Sequence, residues 1–264
     1  MHADNELNSA FQRLVDLMAK LRGPDGCPWD RKQTSGSLKP FLVEECYEVV
    51  DALEDGAPSK IKEELGDLLF QIVFHARLAE EQGQFTIYDV LTAIYEKMIR
   101  RHPHVFGSEP LSTERDVLAS WEEIKRKEQS HAGRKSILEG VPNQLPSLLR
   151  AHRLQERAAR VGFDWSHLNE ALPKLDEEIA ELKETLTAGD AGKTEEELGD
   201  VFFTLVNLSR FLGVNPDEAL RKTISKFIKR FRYIEEQAEI TGRSLNEMTL
   251  DEMETLWQES KAKD

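Results

Sequence analysis

The stretch EELGDLLFQIV (63–73) returns as EELGDVFFTLV (196–206), 133 residues further on. Just before each copy lies a second matched pair, FLVEECYEVVDAL (41–53) and KLDEEIAELKETL (174–186), at the same offset. Five acidic positions survive the shift. Glu44, Glu45, Glu48, Glu64 and Asp67 become Glu177, Glu178, Glu181, Glu197 and Asp200. Self-similarity at a fixed spacing means one folded unit present twice. Within each copy the apolar residues recur at helical spacing and no alternating strand pattern of useful length appears. The expectation is an all-α chain of two tandem four-helix-bundle-like units.

Capping signals place most of the helices. The first covers residues 8–22, and GPDGCPWD (23–30) follows as a turn-rich loop. Pro40 is read as opening the helix that carries Glu44, Glu45 and Glu48. A third helix spans 58–82. Thr86 caps a fourth that reaches Arg101 and stops at Pro103. Thr113 with Asp116 forms a capping box for a charged helix to about Glu128. Asn215-Pro216-Asp217-Glu218 combines a cap, a first-turn proline and first-turn acids. The reading divides the chain into a first unit at 1–107, a helical connector at 108–146 and a second unit at 147–264.

Composition narrows the function. The chain has 264 residues and a formal net charge of −14. That balance argues against a nucleic-acid backbone or an anionic membrane as the partner. It leaves room for a small anionic substrate neutralised by a metal and a few bases. Two cysteines, Cys27 and Cys46, make neither a disulfide framework nor a zinc motif. The first residues lack a secretory pattern, so a cytoplasmic location is expected.

The chemistry sits in the repeated acids. Leu65, Leu68, Leu69, Phe70, Ile72 and Val73 surround Glu64 and Asp67. Leu198, Val201, Phe202, Phe203 and Leu205 surround Glu197 and Asp200. A helix apolar on nearly every side reads as buried, and ionised carboxylates there need protonation, a basic partner or a cation. Few lysines lie close by. An all-oxygen set favours magnesium, with manganese as a substitute, over zinc. Gly66 and Gly199, between the two acids of their helices, suggest close approach by the other acidic helix. His75, on a largely apolar helix, reads as a core histidine, and His102 and His104 serve capping or packing as readily as catalysis.

E-E-x-x-E followed by E-x-x-D on the next helix resembles the MazG family of nucleoside triphosphate pyrophosphohydrolases. The segments GCPWD, RRHPHVFG (100–107) and VGFDW (161–165) are similar as well. The resemblance implies magnesium-dependent hydrolysis of a nucleoside triphosphate to the monophosphate and pyrophosphate. It also implies a homodimer and a housekeeping role in the nucleotide pool. By similarity Glu178, Glu181, Glu197 and Asp200 hold the metal in the second unit, and Glu45, Glu48, Glu64 and Asp67 are their counterparts in the first. Lys174, Glu196, Lys226, Arg230 and Trp257 correspond to nucleotide contacts. Glu177 and Glu178 are adjacent, so that one can ligate while the other acts as general base. Catalysis is expected in the second unit. A narrower dUTP, dCTP or damaged-nucleotide pyrophosphatase, a nucleotide-sensing module and an unidentified protein partner are the alternatives.

Overall fold

A computed structural model describes residues 2–107, 111–131 and 136–263. Among these residues there are eleven α-helices and no strand. The chain separates into two compact units, Met1–Glu128 and Gln129–Asp264.

In the first unit α1 (His2–Arg22), α2 (Ser35–Asp55), α3 (Pro58–Glu81) and α4 (Ile87–Arg101) are followed by a short α5 (Pro103–Phe106) and by α6 (Glu114–His131). The core lies where α1, α2 and α3 meet. Met18, Leu38, Val73, Phe74 and Leu78 are buried, with Leu14, Val15, Phe70 and Ile87 against them. At roughly 25 cal/mol per Å² of buried apolar surface, side chains such as Phe74 and Met18 dominate the stability of this unit. Arg22 locks the edge of the core. Its guanidinium donates to Glu81 at 2.6 Å and to the carbonyl of Asp30, and it lies 5.5 Å from the Phe74 ring centre.

The second unit repeats the plan with α7 (Ser147–Ala159), α8 (Leu168–Ala188), α9 (Ala191–Phe211), α10 (Pro216–Ile240) and α11 (Leu250–Lys261). Val206, Leu208, Ile234 and Ala238 are buried. Gln155 of α7 ties its side-chain amide to the carbonyl of Phe203 in α9 at 2.8 Å.

The repeat extends beyond the acidic helices. Thr113 caps α6 through Asp116, and Thr249 caps α11 through Glu252. Each cap is followed at the same distance by a tryptophan, Trp121 and Trp257. Arg101 of α4 lies 5.4 Å from the Trp121 ring centre, and Arg230 of α10 lies 5.6 Å from that of Trp257. Thus α6 as far as Glu128 falls within the first compact unit, as α11 falls within the second.

Three sequence expectations need correction. Pro40 does not open α2. Thr34 does, through a capping box with Ser37, and Pro40 sits inside the helix. Pro173 lies at the same sixth position of α8. A reciprocal cap outweighs the proline signal, and the proline forgoes a single backbone bond. Second, α3 and α9 are not buried all round. Leu65, Leu69 and Ile72 on α3, and Leu198, Phe202, Phe203 and Leu205 on α9, are all exposed. Each helix has one face in its core and one apolar face turned outward. Third, Gly66 and Gly199 have nothing within 4 Å of where a Cβ would stand, so no close helix approach requires them.

Candidate functional site

Two tight turns create the acidic clusters. α2 ends at Gly56 and α8 at Gly189, both left-handed, with φ of 72° and 71°. Such a conformation suits glycine because no Cβ meets the backbone. Two residues later the next helix begins, so α2 doubles back along α3 and α8 along α9. In an antiparallel hairpin, residues equidistant from the turn face each other. Glu48 stands eight residues before Gly56 and Glu64 eight after; Glu45 and Asp67 stand eleven away on either side. Glu181 and Glu197, then Glu178 and Asp200, repeat these distances around Gly189. At 1.5 Å per residue the two levels lie roughly 12 and 16 Å from each turn. The i, i+3 spacing puts both levels on one face.

The carboxylates converge accordingly. Oxygens of Glu45, Glu48 and Glu64 lie within 4.8 Å of one another, and so do those of Glu178, Glu197 and Asp200. Asp67 and Glu181 stand beside these triads. The charge of Asp67 acts on both Glu45 and Glu64, and that of Glu197 acts on Glu181. Burial first, then the neighbouring carboxylates, raises the proton affinity of Glu45, Glu64 and Glu181 above the ordinary carboxylate value. Glu178 is the buried member of the second set, 5% exposed. Each triad offers only oxygen, which is what a hard divalent cation takes; the residues fit magnesium or manganese and include none of the Cys or His that zinc favours.

Lys174 joins the second cluster directly. Its ammonium lies 2.8 Å from Glu177 and 2.9 Å from Glu178. The hydrogen bonds that the ammonium donates to these two carboxylates, that to Glu177 first, raise the lysine well above its usual value. Glu177 itself is outside the triad and half exposed to water. Of the other residues implicated by resemblance, Glu196 lies on α9, Lys226 and Arg230 on α10 and Trp257 on α11. Arg230 and Phe227 both pack on half-buried Trp257, the two rings 5.4 Å apart. Lys226 and Glu196 are exposed.

Gln71 escapes the sequence reading. It hydrogen-bonds Glu45 from α3 and is 8% exposed. A polar residue four positions after Asp67 in an apolar run was the available signal. His75 is half-buried and its Nε2 has no hydrogen-bond partner among the described residues, so it is not the satisfied core histidine that the sequence suggests. His75 is held below its ordinary value by burial. His102 meets the Met98 carbonyl at 2.6 Å and packs edge-on against Trp121.

The MazG nucleotide pyrophosphohydrolase domain matches residues 33–106 and 167–234, one match over each acidic hairpin. The chain belongs to the MazG family. Its similarity to individual members covers nearly its whole length. It is 47% identical over 260 residues to the nucleoside triphosphate pyrophosphohydrolase/pyrophosphatase MazG of Thermotoga maritima, across 98% of both chains. It is 42% identical over 254 residues to the nucleoside triphosphate pyrophosphohydrolase of Escherichia coli, across 95% of this chain and 97% of that one. An uncharacterized protein of Bacillus subtilis, YabN, is 45% identical over 252 residues, but these make up only 51% of its length. The two-unit MazG arrangement therefore also occurs as part of a longer chain.

Proposed function

We propose that the chain hydrolyses nucleoside triphosphates to the monophosphate and pyrophosphate, with magnesium as cofactor, at the acidic hairpin of the second unit (147–264). The convergence of Glu178, Glu197 and Asp200 with Lys174 attached is the observation that carries this reading. The family and the names of its long relatives support it.

Glu178, Glu181, Glu197 and Asp200 would hold the metal, with Glu45, Glu48, Glu64 and Asp67 as the corresponding set in the first unit. When bound, magnesium supplies charge neutralisation at the phosphate oxygens and lowers the cost of forming hydroxide from water. The residues of the chain do the rest. Lys174 is positioned to give its ammonium to a phosphate oxygen. Doing so releases Glu177, which lies outside the triad and can take the proton of the attacking water. The water oxygen bonds to the α-phosphorus as the bond to the bridging oxygen breaks, and pyrophosphate leaves. Lys226 and Arg230 hold the outer phosphates, Trp257 offers a face to the base, and Glu196 contacts the nucleotide. The activity serves the nucleotide pool in the cytoplasm. Among the described residues no helix is long and apolar enough to cross a membrane.

A homodimer accounts for the outward apolar faces. Phe202 on α9 is 52% exposed and Phe227 on α10 is 55% exposed. Large apolar side chains turned outward in this number suit an interface. The test is pyrophosphate release across a nucleotide panel with and without magnesium. Release that needs the metal is expected; cleavage to the diphosphate and phosphate, or none, would remove the assignment.

A further inference from the structure

Glu45 and Glu178 hold equivalent places in the two hairpins, yet their neighbours differ. Lys174 lies against Glu178 at 2.9 Å. The residue at its place in the first unit is Phe41, whose ring meets that of Trp29 edge-on at 5.8 Å. Glu45 is hydrogen-bonded instead by Gln71, at the position that Thr204 fills in the second unit. The amide oxygen of Gln71 is buried and has no hydrogen-bond partner. Buried amide oxygens without partners are rare in folded proteins. With its nitrogen committed to Glu45, this amide leaves an oxygen beside the triad that a cation would satisfy.

We propose that the two clusters load differently: the first unit takes a divalent cation directly, whereas in the second Lys174 is a built-in counter-ion that keeps the cation off Glu178 until a polyphosphate draws the lysine away. The inference rests on reading both clusters as cation sites. Electrostatics gives the direction. A divalent ion entering the second triad meets an ammonium already seated on the buried carboxylate, and like charges a few Å apart repel. The first triad holds the same number of carboxylates, with an uncharged amide on Glu45 where the second has the ammonium; Lys60, whose charge reaches Glu64, is paired with Asp55 at 2.6 Å and sits on none of the three. A phosphate chain offers Lys174 new anionic partners and thereby opens Glu178. Cation and nucleotide are then coupled at the second cluster and independent at the first, and by linkage the coupling is reciprocal.

Manganese titrations of the full chain, followed by the electron paramagnetic resonance of free Mn2+, test this without reference to turnover. Without nucleotide, wild type should show one tight site per chain, lost in Glu45→Gln with Glu64→Gln. Lys174→Met should reveal a second site, tightened about tenfold or more, while Lys174→Arg should not. Phe41→Lys should weaken the first site by a similar factor. A triphosphate analogue with a methylene between the α- and β-phosphorus should open the second site in wild type, after correction for its own affinity for Mn2+. Two equal sites in the nucleotide-free wild type, or Lys174→Met leaving the titration unchanged, would overturn the inference while the cation reading stands. No protein-bound Mn2+ even with the analogue would overturn both. Circular dichroism checks that each variant is folded.

Discussion

Glu128, near the end of α6, accepts a 2.5 Å hydrogen bond from Arg101 of α4. Arg101 donates another through Nε at 3.2 Å, and Arg100 adds a third, 2.9 Å, to the other oxygen of the same carboxylate. The Arg101 guanidinium meets both this carboxylate and the ring of Trp121. These contacts fasten α6 to the first unit. Removing the charge with Glu128→Gln should cost about 1 kcal/mol, the upper end for a partly exposed ion pair. Hydrogen exchange at neutral pH should show it as roughly five- to tenfold faster exchange confined to α6.

The same carboxylate predicts an acid effect of known sign. Arg101, then Arg100, lowers Glu128 from its ordinary 4.5 to about 2. A depressed carboxylate contributes its stabilisation above the unfolded value, and that contribution disappears as pH falls through 4.5 toward about 2. Urea unfolding of the first unit should therefore weaken over that interval in wild type. Glu128→Gln, already without the charge, should lack this component of the pH dependence.

Glu178→Gln with Glu181→Gln should reduce pyrophosphate release by roughly a hundredfold or more, since two of the proposed metal-holding oxygens in the second hairpin lose their charge. Glu45→Gln with Glu48→Gln should leave most of the release intact. Unchanged activity in the first double variant would move catalysis out of the second unit.

Trp257 tests the base contact. Its ring packs against Phe227 at 5.4 Å and under Arg230. Trp257→Ala should raise KM about tenfold with little change in kcat, in line with a stacking contribution of about 1–1.5 kcal/mol. Trp257→Phe should recover most of the loss. An effect confined to thermal stability would mark the ring as packing alone.

Phe74→Ala should act on one unit. The side chain is 1% exposed at the centre of the first core. Its truncation should cost about 3–5 kcal/mol. Amide exchange should accelerate throughout α1–α4, while α8 and α9 keep their protection.

What the sequence disclosed follows the range of the interactions involved. Thr86, Thr113 and Asn215 announce their helices because a cap needs only the next three residues. The acidic hairpins are legible because their members lie at equal distances from Gly56 and Gly189. Pro40 misleads because proline is common at a first helical turn, yet the reciprocal bonds of Thr34 and Ser37 start α2 earlier. Leu69 and Phe202 mislead for another reason. Apolar periodicity reports that a face avoids water, not whether its cover comes from the same chain. Gln71 goes unread because its partner Glu45 is on another helix. α11 goes unassigned because its purpose, carrying Trp257 to Arg230, is visible only when α10 is in place.

The shared pairing of Arg101 with Trp121 and Arg230 with Trp257 has an evolutionary corollary. If the two units descend from one copied gene segment, that segment already encoded the tryptophan helix. A single-copy descendant trimmed at Gly107 would leave Arg101 bare, whereas one ending past α6 would inherit a self-sufficient module.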